Sequence, residues 1–189
     1  QLFDDIKDQP AGLQSWIDAG KLKVPKVALS SYEFTILQLN LAPAYMMLEN
    51  IHLVAEAMGL GSVVFTGFTG TVMLGVTPMS KGLGFRSVIG KDGKPNPVGL
   101  DGIFEAYCPP YYKSMGEAID ALVDKKFGSG APYSADYEGA VPFKDWAKIQ
   151  PHYHKPSKLS IDQVKAFCSY VYETYGRFPA TFDTMLVPI

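Results

Sequence analysis

The sequence is poor in the residue types that mark disulfide scaffolds, zinc sites and nucleic-acid surfaces. It has only two cysteines, Cys108 and Cys168, and three histidines. Two cysteines cannot form a disulfide framework or, on their own, a zinc site, so a reducing, cytoplasmic compartment is the default expectation. Arginine is as scarce, with only Arg86 and Arg177, and the net charge is −2. Without an excess of positive charge to neutralise phosphates, nucleic acid is not an expected partner.

Residues 1–10 are not expected to be a secretory signal, because Asp4, Asp5 and Asp8 stand where a basic start and an apolar run would be needed. At the other end, residues 185–189 are apolar, although chain termini normally lie in water. Two explanations stay open. The tail docks onto a core or a partner, or the sequence is a piece of a longer chain.

Apolar residues, by contrast, are plentiful: 47% of the 189 residues are hydrophobic and 19% are charged. Burial of that much apolar surface can offset chain entropy, so intrinsic disorder is not expected. The length fits one domain over 1–189. Within it, the loosely patterned segment 1–30 and the segment 128–158, rich in Gly, Pro and Ser, are expected to be extended arms or loops.

The longest stretch without a charged residue runs over 57–80 and is long enough to span a bilayer. It contains five glycines from Gly59 to Gly75, together with Pro78. Because such a segment makes a poor helix, a buried strand followed by a tight loop is the preferred interpretation, and no membrane association is expected.

The most hydrophobic element is a helix predicted over 43–58, with Pro43 in its first turn. Apolar residues fill most of its circumference: Tyr45, Met46, Leu48, Ile51, Val54, Ala55 and Met58. A helix that is apolar nearly all round is expected at the centre of the fold, and glycines 59 and 61 would end it. A buried, valine-rich strand is predicted over 62–65.

Weaker patterns predict the remaining elements. A short helix is predicted within 10–20, a strand or helix over 32–41, a helical turn over 69–74, and strands over 85–89 and 102–107 on either side of a turn at 90–97. Two further helices have clearer limits. Ser114 and Glu117 form a capping box that opens a helix to about residue 127. Ser160 is predicted to cap the last helix, about 161–175, which Gly176 would stop.

Few residues form a recognisable catalytic or metal motif. Glu49 and His52 have the Glu-x-x-His spacing of di-iron bundles, but a polar stripe on the helix is the preferred interpretation because no second copy exists. His152 and His154 lack a third ligand, so they are expected to be surface residues and no metal site is predicted. Cys168 is predicted to be a core thiol, whereas Cys108 could be exposed.

One segment is more specific. Residues 47–68, MLENIHLVAEAMGLGSVVFTGF, resemble the central helix and following strand of the nitroreductase family. The shared features are an Asn near the helix start, the Ala-x-Gly-Leu-Gly ending, a short strand and Gly-Phe. Residues 69–110 continue in a looser likeness, and Tyr107-Cys108-Pro109 is similar to the family's Gly-Tyr-Pro.

The resemblance implies an α+β fold, with a central buried helix on a small mixed or antiparallel sheet, and an intertwined homodimer. It implies FMN at the subunit interface, reduced by NAD(P)H, with a further small molecule as substrate. Thr66 and Gly67 match the loop whose amides approach the flavin N5 and O4, and glycine lets the main chain come close to a flat ligand. Arg86 is the candidate for the FMN phosphate, with Lys81 and Lys91 as alternatives. Arg177 is a further cofactor-binding candidate, in place of the family's C-terminal basic residues.

A second hypothesis follows from the family features that this sequence lacks. The family's Arg-x-Ser-x-Arg phosphate motif is not present, and only about 42 residues precede the central helix. The chain is then a truncated, non-catalytic relative that serves as a structural or small-molecule-binding protein with tyrosine-rich walls. In either case the sequence identifies no catalytic residue.

Overall fold

The structure, a computed structural model, describes residues 2–22, 25–64, 70–75, 78, 80–91, 93, 95–139 and 143–177. Over these ranges the chain is a mixed α+β fold, with two small sheets and a set of helices. The coarse fold class predicted from the sequence is therefore confirmed.

The first sheet joins the start of the chain to the segment just before the longest helix. β1 (Leu2–Asp4) is its middle strand, antiparallel to β2 (Gln9–Pro10) and parallel to β3 (Val27–Ala28). Between β2 and β3 lies the short helix α1 (Gln14–Asp18). This part of the chain contributes Ala11 and Leu13 to the core.

The second sheet is an antiparallel meander with β5 at its centre. β4 (Phe85–Ile89) has the bounds that the sequence predicts, whereas β5 (Pro95–Leu100) begins inside the predicted turn. β6 (Phe104–Glu105) covers only part of the predicted strand over 102–107. The reason is that Gly102 takes a positive φ of 73° and belongs to the turn between β5 and β6.

The helices account for most of the remaining described chain. They are α2 (Leu29–Ala57), α3 (Gly70–Leu74), α4 (Met115–Phe127), α5 (Trp146–Ile149), a 3₁₀ turn (Gln150–His152) and α6 (Lys158–Tyr175). None of the helices in the described ranges combines the length and the apolar character that a bilayer crossing requires.

α2 is much longer than predicted, and Pro43 lies inside it rather than in its first turn. Proline removes one backbone donor there but does not end the helix. At its C-terminus Gly59 has a φ of 74°, the Gly59 amide donates to the Glu56 carbonyl, and the Leu60 amide donates to the Ala55 carbonyl. This pair of bonds is a Schellman motif, so the predicted stop at Gly59 is confirmed.

The predicted burial of this helix is wrong for the single chain. From residue 38 to residue 58, every position except His52 and Ala55 is exposed, and Met46, for example, retains 69% of its accessible surface. A helix with apolar residues on all sides is normally buried by other elements, but the described part of the chain packs only against the first turns of α2. The predicted buried strand after the helix is wrong as well, because residues 62–64 are exposed and irregular, and residue 65 lies outside the described ranges.

α4 and α6 pack against each other and carry most of the core. Ser114 accepts a hydrogen bond from the Glu117 amide at 3.1 Å, and Glu117 accepts one from the Lys113 amide at 2.9 Å, so the predicted cap is confirmed. α6 is capped by Ser157, not Ser160, because the helix begins one turn earlier and Ser157 accepts from the Ser160 amide. The core also takes residues from α2, from β5 and from the segment that follows β6. Together with Ala11 and Leu13, its buried residues are Leu29, Val98, Cys108, Met115, Ile119, Phe167, Cys168 and Val171.

Candidate functional site

A cavity of about 820 Å³ opens between the first turns of α2 and the packed pair α4 and α6. Its walls are almost entirely apolar. The apolar residues that line it are Leu2, Leu13, Leu22, Ile36, Met115, Ala118, Ile119, Leu122, Val123, Phe127, Pro156, Ile161, Val164, Phe167 and Cys168. We refer to this cavity as the α2–α4–α6 cleft.

Helical spacing explains why these side chains converge. On α6, residues 161, 164 and 168 follow one another by three and four positions and therefore share a face, and on α2 the same holds for Tyr32 and Ile36. Tyr32 meets Phe167 edge to face, with ring centroids 5.8 Å apart. This contact fixes the α2 wall against α6 and leaves the cleft open beside it.

Only five polar side chains line the described part of the cleft: Tyr32, Tyr107, Lys126, Ser160 and Gln163. Burial raises the pKa of Tyr32, so its phenol stays neutral at physiological pH. Burial also raises the pKa of Cys168 to about 11, so this residue presents a neutral thiol rather than a nucleophilic thiolate. The cleft is thus suited to holding an apolar molecule, and its thiol is not activated for chemistry.

The two cysteines are both buried. This confirms the prediction for Cys168 and corrects the one for Cys108, which is fully inaccessible. Burial raises the pKa of Cys108 to about 11 as well. Cys108 belongs to the core cluster with Val98 and Val171, and the Pro109 carbonyl accepts a hydrogen bond from the Tyr172 hydroxyl of α6 at 3.2 Å. The sequence pattern of a strand end did not indicate this burial.

The predicted flavin contacts Thr66 and Gly67 lie outside the described residues. Arg86 is described, and acidic groups surround it. Its Nε lies 2.6 Å from an Asp101 carboxylate oxygen, and its Nη2 lies 2.5 Å from one of Glu105. Its Nη1 donates to the Tyr111 hydroxyl, whose ring lies against the guanidinium. A phosphate bound to Arg86 would have to displace a carboxylate.

Arg177 is engaged in the same manner, by Glu33 of α2. Both of its terminal nitrogens donate to the Glu33 carboxylate, the Nη2 bond at 2.9 Å. The pair is largely buried, with side-chain exposures of 19% and 12%. Such a two-bond fork joins the end of α6 to the second turn of α2. The structure describes no contact between Arg177 and Arg86.

Two polar residues on the second half of α2, His52 and Glu56, contact each other. The His52 Nε2 lies 3.4 Å from a Glu56 carboxylate oxygen, and the His52 Nδ1 shares a hydrogen bond with the Ser62 hydroxyl. These contacts agree with a polar stripe on the helix. Among the described residues, no three His, Cys, Asp or Glu side chains gather closely enough to hold a metal ion. The Lys91 ammonium, an alternative candidate for binding the phosphate, donates a hydrogen bond to the Glu173 carbonyl at the end of α6.

Tyrosines are numerous in this chain, and some of them line the cleft or belong to a line of stacked rings. Tyr107 lines the cleft. Tyr133 and Tyr153 stack at 4.7 Å, and the line continues through Trp146 to Phe143. These contacts order much of the segment 128–158 without extensive regular structure.

The sequence pattern alone did not indicate two features of the structure. One is Lys126, in the last turn of α4. It follows the lining residues Leu122 and Val123 by four and three positions, so it lies on the same face of the helix at the cleft. The other is the bond network of Asp4, which accepts from Tyr170 at 2.7 Å and Tyr175 at 2.6 Å. The helical spacing of Lys126 was a usable signal, whereas no local pattern links Asp4 to tyrosines about 170 positions away.

Compared with protein-family models, with curated proteins and with solved structures, the chain gives no match. The resemblance of residues 47–68 to nitroreductases therefore stays a prediction from that segment alone.

Proposed function

We propose that this protein binds a small, largely apolar molecule in the α2–α4–α6 cleft. The observation that carries the proposal is the size and chemistry of the cleft. Its volume of about 820 Å³ lies within the range of roughly 300–1,000 Å³ typical of ligand sites. Apolar walls with a few polar groups are also typical of such sites, because the walls provide affinity and the polar groups fix orientation.

A substitution that fills the cleft tests the proposal. Val164 lies on the cleft face of α6 and is 47% exposed, so Val164→Trp adds an indole to the cavity while the buried core stays intact. Leu159→Trp is the matched control, because Leu159 lies on the same helix at 41% exposure but does not line the cleft. The readout is the fluorescence titration of a neutral apolar dye such as Nile red.

The native chain and Leu159→Trp are expected to bind the dye saturably, at one site. Val164→Trp should bind about tenfold more weakly or worse, because the indole occupies the same volume. Equal titration curves for the native chain and Val164→Trp would refute binding in this cleft.

An FMN-dependent NAD(P)H oxidoreductase of nitroreductase type is the second candidate. The observation that favours it is the 47–68 pattern, together with the helix ending at Gly59 where that pattern requires it. The proposed flavin loop, Thr66 and Gly67, lies outside the described residues. The phosphate has no free arginine in the described chain, since Arg86 and Arg177 both pair with carboxylates.

The absorbance spectrum of the purified protein tests this candidate, because a bound flavin absorbs visible light. Yellow protein, or colourless protein that takes up added FMN and then oxidises NAD(P)H, would support the oxidoreductase. Colourless protein that takes up no FMN would refute the oxidoreductase candidate, and the hypothesis of a non-catalytic binding protein would remain.

The exposed half of α2 supports a further proposal, that a second copy of this chain covers it. Met47, Ile51, Val54 and Met58 follow one another by four, three and four positions, so they share one face. Each of them is between 59% and 69% exposed. Apolar faces of this kind on soluble proteins mark interaction surfaces, and the resemblance implies a homodimer through this helix.

A further inference from the structure

The lining of the α2–α4–α6 cleft carries a single charged side chain. Lys126 is the only charged residue among the described residues that line the cleft, and none of those residues is acidic. A ligand that fills the cleft therefore meets apolar walls everywhere except at one ammonium group.

Two lysines end α4, and their surroundings differ. The Lys125 ammonium lies 5.5 Å from the Tyr107 ring centroid, and a hydrogen bond to the Tyr107 hydroxyl raises the pKa of Lys125. Lys126, by contrast, has no carboxylate of the described chain within 4.0 Å, and its side chain is exposed although it lines the cleft. A lysine in this position packs its methylene stem on the apolar wall and holds its charge at the entrance, in contact with water.

From this asymmetry we infer that the cleft takes an amphiphile with a long apolar body and one acidic group, whose anion pairs with Lys126 at the entrance. The inference rests on the proposed binding function and names its ligand class. The apolar walls would hold the body of the ligand. An anion at the entrance would gain a charged hydrogen bond from the Lys126 ammonium and keep part of its hydration, which avoids the cost of burying a charge.

Calorimetric titration at neutral pH with two probes of equal chain length tests the inference. Dodecanoate carries the acidic group and dodecanol does not, so the difference between them isolates the charge. The native chain is expected to bind dodecanoate about tenfold more tightly than dodecanol. Lys126→Gln should remove that preference, so that the variant binds dodecanoate and dodecanol about equally. Added salt should reduce the difference in affinity between dodecanoate and dodecanol for the native chain, but not for the variant.

The control is Lys148→Gln, which makes the same charge change on α5, at a side chain that is 81% exposed and does not line the cleft. This variant should keep the preference for dodecanoate. If both probes bind the native chain equally, or if Lys126→Gln keeps the full preference, the inference is overturned while binding in the cleft stands. If neither probe binds, the cleft proposal itself fails.

Discussion

The Asp4 carboxylate is fully inaccessible and accepts four hydrogen bonds. They come from the Ile6 and Lys7 amides, both at 3.1 Å, and from the hydroxyls of Tyr170 and Tyr175. Burial acts to raise the pKa of Asp4, but the hydrogen bonds, led by that from Tyr175, outweigh it and lower the pKa below its ordinary value. These bonds connect β1, at the start of the chain, to α6, near its end.

Removing one hydroxyl from this network should destabilise the fold. Tyr175→Phe is expected to lower the free energy of unfolding by about 1.5–3 kcal/mol, since it removes a hydrogen bond to a buried charge. Urea denaturation measures the change. Tyr45→Phe is the control, because Tyr45 is 64% exposed on α2 and should change stability little. Equal effects of the two substitutions would contradict this role for Tyr175.

The same network makes stability depend on pH. Because the pKa of Asp4 is lowered in the folded state, its contribution is present above the unfolded value of 3.8 and is lost as pH falls through the lower folded value. Asp4→Asn should therefore be less stable at neutral pH and show a smaller loss of stability below about pH 4. Urea denaturation at a series of pH values measures both. Parallel pH profiles for the two proteins would count against this linkage.

At the scale of elements, the Arg177–Glu33 pair joins α6 to α2. Arg177→Met leaves a largely buried carboxylate without a partner and should cost about 3–5 kcal/mol in the free energy of unfolding. Adding Glu33→Gln to that variant should recover part of the loss, because the uncompensated charge is gone. Denaturant unfolding of the two single variants and the double variant measures the coupling. Simple addition of the two single losses would show that the pair is not coupled.

Elements with local signals were predictable from the sequence. The cap at Ser114, the stops at Gly59 and Gly176, and the strand Phe85–Ile89 each follow from residues within one or two turns. The start of α2 was misplaced because Pro43 is also compatible with the first turn of a helix. The cap of α6 was misplaced because Ser157 and Ser160 are both suitable caps, and tertiary packing selects between such local alternatives. The cleft was not predictable, because its lining residues on α2 precede those on α4 by about 80 positions and those on α6 by more than 120.

At the scale of the whole molecule, the exposed apolar residues on the second half of α2 predict self-association of the chain. We expect the native protein to sediment as a dimer in analytical ultracentrifugation. Ile51→Lys, which places a charge in the middle of the proposed face, should shift it toward monomer. Glu49→Lys, at a polar position of the same helix, should remain dimeric. A native chain that sediments as a monomer without aggregating would contradict the dimer.

A nuclear magnetic resonance titration with dodecanol shows whether the α2–α4–α6 cleft holds a small apolar molecule. We expect saturable shifts of amide signals clustered at the cleft, around Tyr32, Ile119 and Val164. Shifts that never saturate, or that cluster on residues 42–58 of α2 instead, would contradict it.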